Sequence, residues 1–412
     1  MESDHKKKNI CMIAYSNYKS DSRIRREAEA LTQAGAHITI LSLAESKKPL
    51  KFQFQSVDVI EIGVNKFQGK NSKSYILFYI LFLVKAFFVC SSLALKNKID
   101  AVHVHNMPDF LVFAALLPRI MGKMVVLDIH DTMFETYLGK FGRLNPLFAK
   151  LLKWEEKICA SMAHKVICVN HIQMIPVIKR GTSKKKITVV MNMPDESIFG
   201  TPNREPKQVR KSPFKCVYHG TLDKMLGIDI AIKAFQQIRN KHSDIQFFIM
   251  GKGKDSDVFE QHIKEKNLSD FIYLDKFGIR VDKLRPVLLS MDLGIIPNRK
   301  NIGTELMLPV KMLECMALRI PVVAPKLQAI QYYFSDTMVR YYETENLESL
   351  ADAITDIYNR PDRGAEQAEN ALNMLQNFKW EKHKFELIKL YGIETSFVED
   401  LVVVTTEETV QI

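Results

Sequence analysis

The sequence lacks paired cysteines and an apparent export leader. Its six cysteines are scattered singly through 412 residues, with no C-x-x-C pair, which argues against a disulfide framework or a zinc site and suits a reducing cytoplasm. The apolar run after the polar start is too short for a signal peptide. With 47% hydrophobic and 25% charged residues, the composition excludes a disordered chain and a polytopic membrane protein.

Acidic residues are scarce only in the first half of the chain. Residues 1–200 contain 29 Lys and Arg against 17 Asp and Glu, whereas the remainder contains 29 against 30. A basic half favours contact with anionic lipid, phosphate or nucleic acid. Because no helix-turn-helix, zinc-finger or RNP motif accompanies the charge, we expect no nucleic-acid partner.

Short β-branched runs alternate with helical stretches in two series, the first beginning at Asn9 and the second at Phe214. This alternation is typical of βαβ units and a parallel sheet. It predicts an α/β fold with two Rossmann-like, doubly wound domains that face each other across a cleft. The predicted segments are an N-terminal domain at 1–200, a linker at 201–212, a C-terminal domain at 213–380, a helix at 381–393 that could cross back, and a tail at 394–412.

Residues 75–95 form an apolar run that is almost long enough to span a bilayer. Lys85 lies at its middle, where a charge costs about 2.5–3.5 kcal/mol on the insertion scale. Strands are predicted on both sides at spacings that suit a crossover helix. The pattern therefore favours a buried core helix, with a helix on a membrane surface and a spanning helix as the alternatives.

Ligands of open α/β sheets bind beyond the carboxyl ends of the strands, so residues that follow strands are candidates. Charges at a helix start suit a phosphate or carboxylate, and a His–Asp pair can polarise an imidazole. A solvated helix start and a structural His–Asp pair are the simpler alternatives. In the first half the candidates are Asp21, Arg23, Arg25, Arg26, His105, Asn106, His130 and Asp131.

The second half places glycines after its first two strands, at Gly220 and Gly251. Such turns let backbone N–H groups approach a diphosphate. The dinucleotide fingerprint G-x-G-x-x-G is missing, as is a P-loop, which weakens a dehydrogenase and argues against a P-loop ATPase. Further on, Lys311 and Glu314 lie three apart on a helix that Pro309 opens. They suit phosphate and sugar hydroxyls respectively, with a surface ion pair as the alternative.

Six motifs match a known family in order: SDSRIRREAEAL, DAVHVHNMPDFLVFAALLP, VVLDIHD, ITVVMNMPDESIF, YHGTLDKMLGID and LPVKMLECMALRIPVV. Over about Asn9 to Tyr391 the chain resembles the family 4 retaining glycosyltransferases of the GT-B fold. Within that family it is similar to the P-x-K-x-x-E subgroup of exopolysaccharide, capsule and lipopolysaccharide synthesis. The resemblance implies that the N-terminal domain binds an acceptor and the C-terminal domain a nucleotide-diphospho-sugar, without metal or other cofactor.

The resemblance also implies roles for individual residues. The implied catalytic residues are His130, Glu305 and Glu314. The implied donor-binding residues are Gly220, Thr221, Lys224, Gly251, Lys311 and Glu314. On the acceptor side the implied residues are Asp21, Arg25, Arg26, His105 and Asn106.

Three positions depart from the family pattern. Leu306 stands where the first glutamate of a pair belongs, with Glu305 one residue away, and Thr221 and Leu226 stand where basic residues are usual. We expect a hexosyltransferase-type enzyme acting on a lipid-linked or surface-polysaccharide precursor, cytoplasmic and peripheral at the inner face of the cell membrane. A catalytically impaired relative that serves as a binding or scaffolding subunit is the alternative, and a nucleotide-sugar epimerase is a third reading.

Overall fold

The computed structural model describes residues 7–45, 50–65, 72–200 and 212–394. Each half of the chain is built on one sheet of mostly parallel strands. The first sheet has eight strands in the order β3-β4-β2-β1-β5-β6-β7-β8, and the second has six in the order β11-β10-β9-β12-β13-β14. The predicted α/β fold with two doubly wound domains is confirmed.

The strands of the first sheet are β1 (Asn9–Ala14), β2 (His37–Ser42), β3 (Lys51–Phe54), β4 (Val57–Glu61), β5 (Ala101–His105), β6 (Met124–Ile129), β7 (Lys165–Cys168) and β8 (Ile187–Val189). The strands of the second sheet are β9 (Phe214–His219), β10 (Ile245–Met250), β11 (Ile272–Asp275), β12 (Leu293–Ile295), β13 (Val322–Pro325) and β14 (Arg340–Tyr342).

The helices of the first domain are α1 (Ser22–Gln33), α2 (Ser72–Leu95), α3 (Leu116–Ile120), α4 (Met133–Phe141), α5 (Pro146–Met162), α6 (His171–Lys179) and α7 (Glu196–Phe199). Those that follow are α8 (Ile228–Arg239), α9 (Ser256–Glu265), α10 (Val281–Leu289), α11 (Val310–Ala317), α12 (Gln328–Tyr333), α13 (Leu347–Asn359), α14 (Pro361–Leu375) and α15 (Trp380–Leu390).

The central strands form because their apolar residues run without interruption. β5 is buried at every position, and β1 and β6 are buried at all but their first residue. Continuous burial is what a parallel strand covered by helices on both faces requires. Two strands were not predicted. β3 pairs antiparallel at the sheet edge and is exposed or half-buried throughout, and β14 has only three residues.

Helix α2 crosses over between β4 and β5, but it is not the buried core helix that the pattern favoured. One face packs on the sheet through Phe82, Ala86, Cys90 and Ala94. Lys85 bends back to donate to the carbonyl of Gly63 at 2.9 Å. Only 22% of the apolar stretch of this helix is buried. Among the described residues it is the one helix long and apolar enough to cross a membrane.

The last helix packs against the first domain. Leu387, Ile388 and Tyr391 share an apolar cluster with Ile24 and Leu31 of α1. The Tyr391 hydroxyl lies 2.8 Å from His103 Nδ1, which faces it from β5. The helix at 380–390 therefore ties the two ends of the chain together. The predicted linker lies outside the described residues except for Ser212, and the tail does so except for Glu394.

This packing predicts that Leu387→Ala destabilises the first domain. Leu387 is fully buried, so the truncation removes apolar contacts and leaves a cavity, which costs about 2–5 kcal/mol in the free energy of unfolding. Urea unfolding followed by tryptophan fluorescence measures the change, because Trp380 opens the same helix. The matched control is Leu95→Ala, whose side chain is 64% exposed. Equal stability of the two variants would contradict the packing.

Candidate functional site

The turn after β9 brings a lysine from a distant helix onto a glycine. Gly220 has a φ of +122°, and a Cβ built there would lie 3.1 Å from both Cε and Nζ of Lys311. Lys311 Nζ also donates to the Tyr218 hydroxyl at 2.8 Å and lies 4.2 Å from the centre of that ring. The ammonium group is therefore held beside the glycine turn, at the edge of the sheet where ligands bind.

Burial changes the chemistry of this lysine. Loss of water lowers the pKa of Lys311 to about 8, and the neighbouring charge of Glu314 acts in the opposite direction. A desolvated ammonium gains more from a phosphate than a solvated one does, because it has less hydration to give up.

A second glycine makes the turn compact. A Cβ built on Gly251, which directly follows β10, would lie 1.7 Å from the carbonyl oxygen of Gly220. No side chain fits there, so the two strand ends meet backbone to backbone. The arrangement leaves Gly220 and Thr221 exposed at the edge of the second sheet.

The carboxylate of Glu314 is fixed by a histidine from the strand below. Glu314 Oε2 lies 2.7 Å from Nε2 of His219, the last residue of β9. Helix α11 places Glu314 one turn beyond Lys311 on the same face. His219 uses one carboxylate oxygen, and the other is available to accept hydrogen bonds from a ligand.

Glu305 is engaged elsewhere. Its Oε1 pairs with Lys300 Nζ at 3.1 Å, and its Oε2 accepts the backbone N–H of Gln328 at the start of α12. The glutamate next to the departing position Leu306 thus anchors a loop to a helix. Its catalytic role stays a prediction.

The cations near the Gly220 turn differ in their partners. The Lys224 side chain is exposed, while its backbone is held by Asp255 and Arg299. Arg299, which the sequence reasoning did not single out, pairs with Asp229 at 2.6 Å and with Glu345 at 3.3 Å.

On the first domain, His130 follows β6 and is the partly accessible member of a histidine cluster. Its side chain is 21% exposed, and its Nε2 lies 2.8 Å from Asp128 Oδ2. The Asn106 side chain accepts the His130 backbone N–H at 2.8 Å, and Gln173 donates to the His130 carbonyl at 2.9 Å. Both the ring and the backbone of His130 are therefore fixed.

Behind His130 lies a buried charge network that the sequence reasoning missed. Arg23 pairs with Asp128 Oδ1 at 2.7 Å and with Glu27 Oε1 at 3.0 Å. Although burial acts to raise the pKa of Asp128, the charges of Arg23 and His130 hold it well below its usual range. The pKa of Glu27 is raised, by burial first and by Asp128 second. Asp128 is therefore an ionised acceptor for His130.

His105 supports this network rather than facing the cleft. Its side chain is 1% exposed, and its Nδ1 lies 3.0 Å from Asp128 Oδ2. Burial lowers the pKa of His105 well below its usual value, so its ring is neutral. Asn106 is also buried and holds the β6 loop through the carbonyl of Asp131.

This cluster is also the place where a metal ion would find ligands. Glu27, His103, His105 and Asp128 each offer one ligand atom, and these atoms lie within 4.8 Å of one another. The Arg23 guanidinium already pairs with both carboxylates and supplies positive charge there. We therefore treat the cluster as the support of His130.

The remaining acceptor-side candidates have structural partners. Asp21 caps α1 by accepting the Ile24 N–H at 3.3 Å. Arg25 reaches Gln55 between β3 and β4 at 2.9 Å. Arg26 donates to Asn192 at 2.8 Å and lies 4.3 Å from the Trp380 ring, and burial lowers its pKa to about 10. Contact of these residues with an acceptor stays a prediction.

Direct contacts bring the edges of the two sheets together. Asn170, which follows β7, donates to the carbonyl of Leu306 at 2.8 Å. His171 donates its backbone N–H to the Tyr333 hydroxyl at 2.9 Å. Gln173, whose side chain holds His130, lies on the same helix α6. Thus His130 is linked through α6 to the loop that carries Glu305.

Two family descriptions match the chain in succession. Residues 22–197 match "Glycosyltransferase Family 4". Residues 213–360 match "Glycosyl transferases group 1". The first match covers the domain with the histidine cluster, and the second covers the glycine turn with Lys311 and Glu314.

Known proteins are similar to this chain over most of its length. A chitobiosyldiphosphodolichol beta-mannosyltransferase of Candida albicans is 19% identical over 86% of this chain and 81% of its own length. Sucrose-phosphate synthase from Thermosynechococcus elongatus has a TM-score of 0.74 and 16% identity, over 94% of this chain and 98% of its own. Anabaena HepE, solved with UDP-glucose, has a TM-score of 0.68 and 14% identity, over 93% and 99%. The chain is therefore a glycosyltransferase of the GT-B type, with a family 4 domain followed by a group 1 domain.

Proposed function

We propose that this protein transfers a hexosyl group from a nucleotide-diphospho-sugar to an acceptor hydroxyl with retention of configuration. The observation that carries the proposal is the position of Lys311 Nζ against the Gly220 turn. A desolvated cation beside a glycine turn, at the carboxyl end of a parallel strand, suits a pyrophosphate. The Anabaena relative solved with UDP-glucose supports this class of donor.

In this proposal the second domain holds the leaving group. Lys311 pairs with the diphosphate, and Glu314, fixed by His219 at 2.7 Å, accepts hydroxyl groups of the nucleotide ribose. As the acceptor oxygen bonds to C1 of the sugar, the bond from C1 to the phosphate oxygen breaks and its electron pair stays on that oxygen. The same oxygen takes the acceptor proton. Lys311 stabilises the charge that develops on the diphosphate.

The first domain orients the sugar. His130 is partly exposed, and its Nε2 lies 2.8 Å from Oδ2 of the ionised Asp128. Asp128 acts as a positioning residue, because a buried carboxylate that accepts from an imidazole fixes its orientation and tautomer. We assign His130 the hydrogen bond to a donor-sugar hydroxyl near the anomeric carbon.

We further propose that the acceptor is attached to a lipid and is reached from the cytoplasmic side of the membrane. The Candida albicans relative is named for a diphosphodolichol-linked acceptor. The basic charge of the first half, 29 Lys and Arg against 17 Asp and Glu, suits the anionic surface at which such an acceptor lies.

A second candidate function is a binding subunit without transfer activity. Glu305 is engaged by Lys300 and Gln328, and Thr221 and Leu226 are uncharged. Losing one donor of charge stabilisation costs about 3 kcal/mol in the transition state. This candidate predicts nucleotide-sugar binding with no product.

The transfer assay decides between the two candidates. We expect radiolabelled sugar to move from a UDP- or GDP-hexose to a lipid-linked saccharide acceptor, and proton NMR of the product to show the anomeric configuration of the donor. Binding of the donor without transfer would favour the second candidate. A product of opposite configuration would contradict retention but would still show that the protein is a glycosyltransferase. The configuration has to be measured because the Candida albicans relative is named a beta-mannosyltransferase.

The pKa of Lys311 predicts a pH dependence of donor binding. Since that pKa is lowered to about 8, the lysine is charged below pH 8 and becomes neutral above it, so nucleoside diphosphate affinity falls as the pH rises from 7 to 9. Lys311→Arg keeps its charge over this range, and its affinity should stay level. Calorimetric titration with UDP and GDP measures both.

Lys311→Met should bind the diphosphate weakly at every pH and lose about 100-fold in transfer rate. The matched control is Lys264→Met, which removes a lysine paired with Glu260 on the exposed face of α9. If diphosphate affinity had the same pH dependence in wild type, Lys311→Met and Lys264→Met, Lys311 would not be part of the binding site.

A further inference from the structure

Helix α2 turns an apolar stripe toward the outside of the protein. Seven large apolar side chains of this helix are 41–66% exposed. They recur at helical spacing along nearly the full helix and are Ile76, Leu77, Ile80, Leu81, Val84, Phe88 and Leu95. A soluble domain rarely exposes so many large apolar side chains on one face, and such a patch marks an interaction site.

Two neighbouring helices extend the apolar surface. α2 contacts α3 and the 3₁₀ segment Asp109–Ala115 that precedes it, and α5 contacts the same segment. α3 exposes Leu116 and Ile120, the latter by 73%. α5 exposes Leu147, Leu151 and Trp154 at i, i+4 and i+7. We call the exposed sides of α2, α3 and α5 the apolar face.

The charges around the apolar face have one sign. From Ile76 to His164 the exposed charged side chains are seven basic residues and one acid. The acid, Asp131, follows β6 beside His130 and not on these helices. The basic residues are Lys96, Lys98, Lys140, Arg143, Lys150, Lys153 and Lys157. Lysines that flank outward Leu and Trp residues, as on α5, are typical of a helix that lies in the interface of an anionic membrane.

The packing of α2 decides between lying on a membrane and crossing it. Phe82, Ala86, Cys90 and Ala94 are buried against the first sheet. A spanning helix would have to leave β4 and β5 and expose those residues' partners to water. Lys85 at mid-helix bonds to Gly63 and would carry its charge into the hydrocarbon. Thus the helix can meet lipid with its outer side while its inner side stays on the sheet.

Helix α4, which precedes α5 and packs against it, leads from the apolar face to the second domain. Gly139 of α4 lies against the second domain, where a built Cβ would be 2.5 Å from Asn301 Oδ1. Phe141 ends the same helix and is 58% exposed, and Leu147 begins the exposed side of α5. We call the position of Phe141 and Leu147 the rim. A lipid held at the rim would present its head group to the candidate site.

From these observations we infer that the apolar face is a docking surface for an anionic lipid bilayer, with α5 and the outer side of α2 seated among the head groups. The inference rests on the proposed function in one respect, that the lipid of the acceptor would enter along the rim at Phe141. Docking itself needs neither donor nor acceptor, so it can be tested separately from transfer.

The test is co-sedimentation of the full chain with phosphatidylcholine vesicles with and without 30 mol% phosphatidylglycerol. We expect binding to the anionic vesicles that weakens with salt, and at least a tenfold weaker partition for the double variant Leu151→Asp/Trp154→Asp. The matched control is Phe277→Asp, an equally polar change at a side chain that is 75% exposed on the second domain, which should bind as wild type does. A triple variant, Lys150→Glu/Lys153→Glu/Lys157→Glu, should lose the preference for anionic lipid.

Position in the membrane gives an independent readout. In a Trp380→Phe background, Trp154 is the remaining tryptophan, and its emission should shift to the blue and be quenched by brominated lipid. Wild-type binding by Leu151→Asp/Trp154→Asp, or an unquenched Trp154, would overturn the inference. The inference would also be overturned if light scattering showed that the wild-type protein is a dimer and that Leu151→Asp/Trp154→Asp is a monomer, because a second copy of the chain would then cover the apolar face. Leu151→Asp/Trp154→Asp should transfer sugar normally to a water-soluble acceptor. Such transfer would show that the variant is folded and active, so that its weaker vesicle binding reflects the loss of docking alone.

Discussion

The close approach of Lys311 to Gly220 is the contact on which the site depends. It needs a glycine, because a Cβ at that position would meet the lysine at 3.1 Å, and a second glycine at 251, because a side chain there would strike the Gly220 carbonyl. It also needs Tyr218, whose ring and hydroxyl hold the ammonium. Together these residues place a desolvated charge at the end of the central strand β9, where a diphosphate can be bound through charge and backbone N–H groups.

The first domain prepares its half of the cleft by a different means. Its centre is a buried group of charges in which Arg23 pairs with both Asp128 and Glu27, and Asp128 in turn holds His130 and His105. Breaking a buried pair of this kind leaves an uncompensated charge, which is strongly destabilising. The ion pairs that hold α1 on the sheet therefore also orient His130, the one histidine of this group that is partly accessible. Tyr391 adds α15 to the same group through His103.

The architecture could be predicted from the sequence because parallel strands that are buried on both sides consist of continuous apolar runs, as in β5 and β6. It also indicated Gly220, Lys311 and Glu314, since strand ends and helical spacing put them at one edge. It could not show that Glu305 is engaged by Gln328, or that Arg26 lies on Trp380, because these contacts join residues far apart in the chain. Arg23 stood in the same motif as Arg25 and Arg26, and only the fold shows which arginine turns inward. The exposure of α2 was only an alternative to the favoured buried helix, because its composition is apolar all round and no pattern in the sequence marks its outer side.

A crystal structure of the chain with UDP or GDP shows whether Lys311 and Glu314 bind a nucleoside diphosphate at the Gly220 turn, as we propose. We expect the diphosphate over Gly220, with Lys311 Nζ about 2.8 Å from a phosphate oxygen and Glu314 accepting hydrogen bonds from the ribose. A nucleotide bound elsewhere, or one that leaves Lys311 on Tyr218 and Glu314 in contact with His219 alone, would contradict it.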